Sequence, residues 1–185
     1  MKRLRRERAA GLAVAMGMLL AATASQGAPP TGGYGAPAAA VAEAPAAGDL
    51  LQKMSVILQK APAEGDWQIK AADLAKMIAE KKTDFLVVDV RPTPPGQQGG
   101  KIPGALYIPY QDILKAENLA KLPKDKKLVL ACMTGQLQNI PVLALRTLGY
   151  QAYTLRYGHA AWIKGYFAAK FMQDAIAGAD FPVEP

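Results

Sequence analysis

The sequence predicts an α/β domain around a mostly parallel, five-stranded central sheet flanked by helices. Three observations predict it. From residue 67 to residue 169, short apolar runs alternate with segments whose apolar residues recur at helical spacing. The run 85–90 (FLVVDV) is apolar but for Asp89, as in a strand covered on both faces. The chain has one cysteine, so it closes no internal disulfide and must rest on a hydrophobic core.

The first residues lie apart from that domain. Lys2, Arg3, Arg5, Arg6 and Arg8 precede an almost uncharged, Ala-rich run over 9–24, closed by Ala22-Thr23-Ala24. This is the pattern of a signal peptide, 1–24, with a small-x-small cleavage site. The apolar run is short for a membrane span, which wants about twenty residues. The expected location is therefore periplasmic or otherwise exported, without a stable membrane span after processing; an uncleaved anchor is the alternative. The segment carries five of the 22 basic residues and one of the 15 acidic ones, so much of the formal charge of +7 belongs to targeting. No basic patch interleaved with aromatics points to nucleic acid.

Residues 25–48 are rich in Ala, Pro and Gly and read as a linker. Over 49–62, Asp49 can cap a helix with Leu50, Leu51, Met54, Ile57 and Leu58 on one stripe, ended by Pro62. Such a stripe packs on the following domain; recruiting a protein partner is its alternative use. The domain proper, 63–169, opens with a short strand at 67–69. A helix follows over 71–81, with Leu74, Met77 and Ile78 at helical spacing. Strands at 85–90 and 106–108, a helix over 111–119 and a strand at 128–131 come next. The helix over 138–148 tolerates Pro141 only in its first turn and ends at Gly149. A strand at 152–155, a helix over 160–169 and a surface tail, 170–185, complete the order.

The chemistry centres on Cys132. The strand 128–131 runs into this thiol and then directly into the turn Met133-Thr134-Gly135. A sulfur at a strand end, above the start of a helix, faces backbone N–H groups that favour a thiolate and can hold an anion. The competing reading is a small buried hydrophobe. Asp89 is expected to accept from backbone N–H groups and order its loop. Arg91 is expected to brace loops by pairing with a carboxylate, or else to hold an anionic donor. Trp162 reads as core, and His159, the only histidine, as a surface residue without a role. One Cys and one His make no metal site, and no cofactor is expected. A phosphatase-type loop would need an arginine closing the turn, but the next arginine is Arg146.

Five features occur in order over roughly a hundred residues. They are Asp89-Val90-Arg91 closing a strand, the Gly-Lys-Ile-Pro-Gly-Ala stretch at 100–105, Ile108-Pro109, the Cys132-Met133-Thr134-Gly135 loop, and Gly149-Tyr150 followed by Leu155, Gly158 and Trp162. In this the chain resembles the rhodanese-like domain, in its single-domain, exported bacterial form. The resemblance implies a sulfurtransferase with Cys132 as catalytic nucleophile. Cys132 would carry a sulfane sulfur as a persulfide, from a small donor such as thiosulfate or polysulfide to a thiol or cyanide acceptor. Met133, Thr134, Gly135, Gln136 and Leu137 would form the substrate-binding loop, and Asp89, Arg91 and Lys101 would support it. The chain departs from the pattern in three ways. An acidic residue is missing after Arg91, Lys101 stands where many members have histidine, and Leu137-Gln138 replace small residues. These departures leave open the alternative of a weak or inactive binding scaffold of the cell envelope.

Overall fold

The computed structural model describes residues 45–184. The expected signal peptide, 1–24, and the expected linker up to residue 44 lie outside the described residues. Five strands, β1 (Gln68–Ile69), β2 (Phe85–Asp89), β3 (Leu106–Tyr107), β4 (Lys127–Ala131) and β5 (Gln151–Leu155), form one sheet in the order β1-β5-β4-β2-β3. Every adjacent pair is parallel. The helices are α1 (Pro45–Lys60), α2 (Ala71–Ala79), α3 (Ala116–Leu119), α4 (Asn139–Thr147) and α5 (Ala169–Ala177).

Alternation along the strands divides the core in two. Val88, Leu128 and Leu130 face one side, where Val142 and Leu145 of α4 and Ile57 of α1 meet them. Cys132 continues that face. Val87, Val129 and Ala131 face the other side, against Leu74 and Ile78 of α2, with Trp162 packed alongside. Strands β2 and β4 are thus apolar over 85–88 and 128–131, which is why their sequences read as unbroken runs. Each fully buried leucine here contributes about 2 kcal/mol relative to an exposed one.

The register sets up the site. Asp89 at the end of β2 pairs with Ala131 at the end of β4. The segment carrying Arg91 and the turn carrying Cys132 therefore leave the sheet side by side at its C-terminal edge, where ligands bind in open parallel sheets.

Several elements differ from expectation. The helix at the N-terminus begins at Pro45, so Asp49 lies inside it rather than capping it; proline suits a first helical turn. Trp67 belongs to a 3-10 segment, Pro62–Trp67, at φ 56°, and not to β1. α2 stops at Ala79 because Lys81 takes a left-handed φ of 53°. In place of one helix over 111–119 there is a 3-10 turn, Tyr110–Asp112, and then α3. The Asp112 carbonyl that a continuous helix would offer Ala116 is taken by Lys115 N–H and by the Asn118 side chain. The helix expected over 160–169 is also absent. Gly158–Ala161 form a 3-10 turn whose N–H groups bond to the Cys132 and Met133 carbonyls, and Gly165 turns the chain at φ 71°. Helix α5 forms instead within the stretch expected to be tail. Pro141 sits in the first turn of α4, as its missing N–H requires. No helix among the described residues is long and apolar enough to cross a membrane.

Candidate active site

Cys132 is the first residue past β4, with 1% of its surface exposed. Its backbone is held at both polar groups. The Cys132 N–H donates to Gln138 Oε1 at 2.8 Å. The Cys132 carbonyl accepts the His159 N–H at 2.8 Å and lies 2.9 Å from His159 Nδ1. A carbonyl oxygen only accepts, so Nδ1 carries the ring proton. Of the turn's amides, Gly135 N–H donates to Cys132 Sγ, at 3.2 Å. Residues 133–138 form the turn between sulfur and helix, and α4 begins at Asn139. Met133, Thr134, Gly135 and Leu137 are half-buried and Gln136 is exposed.

Two glycines allow this turn to lie directly on the turn that follows β5. Gly135 has φ 95°, and a Cβ there would fall 3.0 Å from the Tyr157 backbone. Gly158 has φ 54°, and a Cβ there would press into the Cys132 carbonyl. At both positions glycine is required by conformation and by space.

Gln138 is the latch of the turn. It is buried, and while Oε1 accepts from Cys132, Nε2 donates to the Leu155 carbonyl at 2.5 Å. One side chain therefore ties the cysteine to the end of β5.

Asp89 and Arg91 behave as braces. Both side chains have no exposed surface. Arg91 Nη2 donates to Asp89 Oδ2 at 2.6 Å and Nε to Oδ1 at 2.9 Å; the Arg91 N–H reaches Oδ1 at 3.2 Å. The guanidinium also donates to the Gln98 and Gly100 carbonyls and to the Tyr166 hydroxyl, so it fastens the loop after β2. Burial opposes its charge, but the hydrogen bonds and charges of Asp89 and Tyr166 outweigh that and raise its pKa. With its donors directed inward, Arg91 presents nothing to an incoming anion. Lys101 is exposed and spent on its own turn, Nζ donating to the Ala105 carbonyl at 3.1 Å.

His159 corrects the expectation of a surface residue. It is fully buried between the cysteine and the Arg91 brace, with Nε2 3.7 Å from Asp89 Oδ2 and without a hydrogen-bond partner. Burial lowers its pKa; the carbonyl of Cys132 and the charge of Asp89 pull weakly the other way. Trp162 is half-buried against the α2 face of the core.

Beside the turn lies a pocket of about 360 Å³, whose lining includes Thr134, Gly135, Gln138, Arg156, Tyr157 and Met172. Met172 comes from α5. Sequence reasoning missed Arg156, since it sits one residue past β5 and outside every motif. Among the described residues no group of three or more His, Cys, Asp or Glu side chains converges.

The model of the rhodanese-like domain family matches residues 70–164, just over half of the chain. A tRNA sulfurtransferase of Desulfurococcus amylolyticus is 33% identical over 82 residues, 44% of this chain. The chain spans only 16% of that relative's length. Among solved structures, a rhodanese-related protein from Thermoplasma volcanium is 30% identical, covering 54% of this chain and 93% of its own, with a TM-score of 0.45. A rhodanese-like domain protein from Staphylococcus aureus is 29% identical, covering 54% and 94%, with a TM-score of 0.47. A rhodanese homologue from Thermus thermophilus is 32% identical, covering 51% and 98%, with a TM-score of 0.41.

Proposed function

The chain belongs to the rhodanese-like domain family, and from that membership we propose that it is a sulfurtransferase working through a persulfide on Cys132. The observation that carries the reading is the seat of the sulfur. The one thiol of the chain stands at the C-terminal edge of β4, accepts the Gly135 N–H, and has its own backbone fixed on both sides.

The Cys132 thiolate attacks the terminal sulfur of a sulfane donor. A new S–S bond forms as the donor's S–S bond breaks, and the bonding pair leaves with the shortened donor. An acceptor thiolate or cyanide then attacks the outer sulfur, and the pair returns to Sγ as a thiolate. The cycle needs no external oxidant. The Gly135 N–H supports the negative charge on sulfur at either stage.

Residues 132–137 contain no Arg or Lys, and Arg91 is turned inward. A polysulfide, whose charge is spread along sulfur, therefore suits the site better than thiosulfate. The basic, Ala-rich N-terminus supports an exported location. The 1% exposure of Cys132 favours a second reading, a family scaffold that binds but does not turn over.

Intact-mass measurement separates the two. After polysulfide, the protein gains one sulfur atom and loses it to cyanide, whereas Cys132→Ser does neither. No gain from any donor, on folded protein with a titratable thiol, establishes the scaffold.

A further inference from the structure

We propose that the pocket beside the cysteine turn is the seat of a small sulfur acceptor carrying a carboxylate, with Arg156 as the cation that receives it. The proposal rests on the sulfurtransferase reading and specifies its acceptor.

The pocket borders the turn that follows the cysteine. Thr134 and Gly135 line it, and Gly135 is the residue whose N–H reaches Sγ. A molecule filling it thus ends against the turn that holds the persulfide. At about 360 Å³ it lies within the range of small-molecule pockets and offers far more room than a thiosulfate ion needs.

Its charge is one-sided. No carboxylate lines it, and Arg156 is its one cationic residue. Arg91, which fastens the loop beside the turn, is already engaged on Asp89. Arg156 has no ion-pair partner among the described residues. Its guanidinium stands 5.4 Å from the Tyr157 ring centroid and its backbone N–H is spent on Ile69. A solvent-reached guanidinium beside an aromatic ring offers two parallel N–H donors to a planar carboxylate.

The position of the cation selects between donor and acceptor. In thiosulfate the charged oxygens sit one atom from the transferred sulfur, so a cation that served it would have to flank Sγ. Arg156 instead lines the pocket, whereas Cys132 is not among the residues that line it. That separation fits a thiol whose carboxylate stands a few bonds from its sulfur. Its thiolate attacks the outer sulfur of the Cys132 persulfide and leaves as the carboxylate-bearing persulfide, returning Sγ as a thiolate.

Two measurements test this. In the first, protein loaded from polysulfide is offered 3-mercaptopropionate, 2-mercaptoethanol or cysteamine, and rates are compared at equal thiolate concentration. 3-Mercaptopropionate should lead 2-mercaptoethanol by about fivefold, the scale of a solvent-reached ion pair, and cysteamine should be slowest. Arg156→Gln should bring the three together, and Arg156→Lys should keep the order. Equal rates with the native chain, or a preference that persists in Arg156→Gln, overturn the proposal. The second measurement needs no sulfur transfer. Cys132→Ser protein is titrated with 3-(methylthio)propionate and followed by amide NMR. Thr134, Gly135 and the Arg156 side chain should shift at millimolar concentration, but not with 3-(methylthio)propanol. Loading that fails while this binding persists refutes the transfer mechanism alone. Absence of the carboxylate-specific shift refutes the pocket assignment, whether or not loading succeeds.

Discussion

The Cys132 carbonyl takes both of its hydrogen bonds from His159, one from the backbone N–H at 2.8 Å and one from Nδ1 at 2.9 Å. The far ring nitrogen faces the Asp89 carboxylate at 3.7 Å without bonding to it. One imidazole therefore separates the nucleophile from the buried ion pair, and it does so neutral. Asp89 is already matched by Arg91, which removes the incentive for a second buried cation.

That arrangement makes stability depend on pH. Burial lowers the folded pKa of His159 below its ordinary value of 6.5. Below that value the unfolded chain binds a proton that the folded chain refuses, so stability falls as pH falls. The slope approaches about 1.4 kcal/mol per pH unit until the folded imidazole also protonates. Urea unfolding at about pH 8 and about pH 5 should show the loss in the native chain. His159→Gln, which keeps a donor for the carbonyl, should lack this component. An equal loss in both proteins would place the effect elsewhere.

Arg91→Ala should cost about 3–5 kcal/mol, the usual result of stranding one member of a buried pair. The Gln98 and Gly100 carbonyls also lose their donors. Arg91→Lys keeps the charge but cannot reach both carboxylate oxygens and both carbonyls at once, so it should recover less than half of the loss. Denaturant midpoints with unchanged slopes check both.

Gly158 and Gly149 form a matched pair, with φ of 54° and 87°. A Cβ at Gly149 meets nothing within 4 Å, so Gly149→Ala should cost only the backbone strain, about 1–2 kcal/mol. At Gly158 the same carbon presses on the Cys132 carbonyl. Gly158→Ala should cost about 2–4 kcal/mol and slow persulfide formation in the protein that remains folded. Comparable stabilities for the two variants would mean that the contact between the turns yields easily.

What the sequence made legible, and what it hid, follows from where each residue's partners come from. The runs at 85–90 and 128–131 read as buried strands because both their faces are apolar, and they are strands. Arg91 pairs with a carboxylate two residues away, so its role was local enough to infer. His159 looked idle because its partner is a backbone carbonyl 27 residues earlier, which no residue type announces. The helix expected over 160–169 is interrupted at Gly165, whose φ of 71° turns the chain in mid-segment. His159 and Ala160 give their N–H groups to residues 132 and 133, which fixes where the short 3-10 turn begins. Gln138 was visible only as a large residue where a small one is common, since its function is to join two segments that the fold brings together.

Gln138 supplies the last prediction. Gln138→Leu leaves the Cys132 N–H and the Leu155 carbonyl buried without partners and should cost about 2–5 kcal/mol. Gln138→Glu is more informative. An ionised glutamate still accepts from Cys132 but sets negative charge against the Leu155 carbonyl. A protonated one restores both bonds, its C=O accepting and its O–H donating. Its folded pKa should therefore stand above the ordinary glutamate value of about 4.3, so that the folded state binds the extra proton. Relative to the native chain at each pH, Gln138→Glu should gain stability as pH falls towards that value, opposite in sign to the His159 effect. Urea midpoints of the two proteins across about pH 8 to pH 5 give the difference directly. A difference that stays constant over this range would show that the glutamate side chain has left the latch.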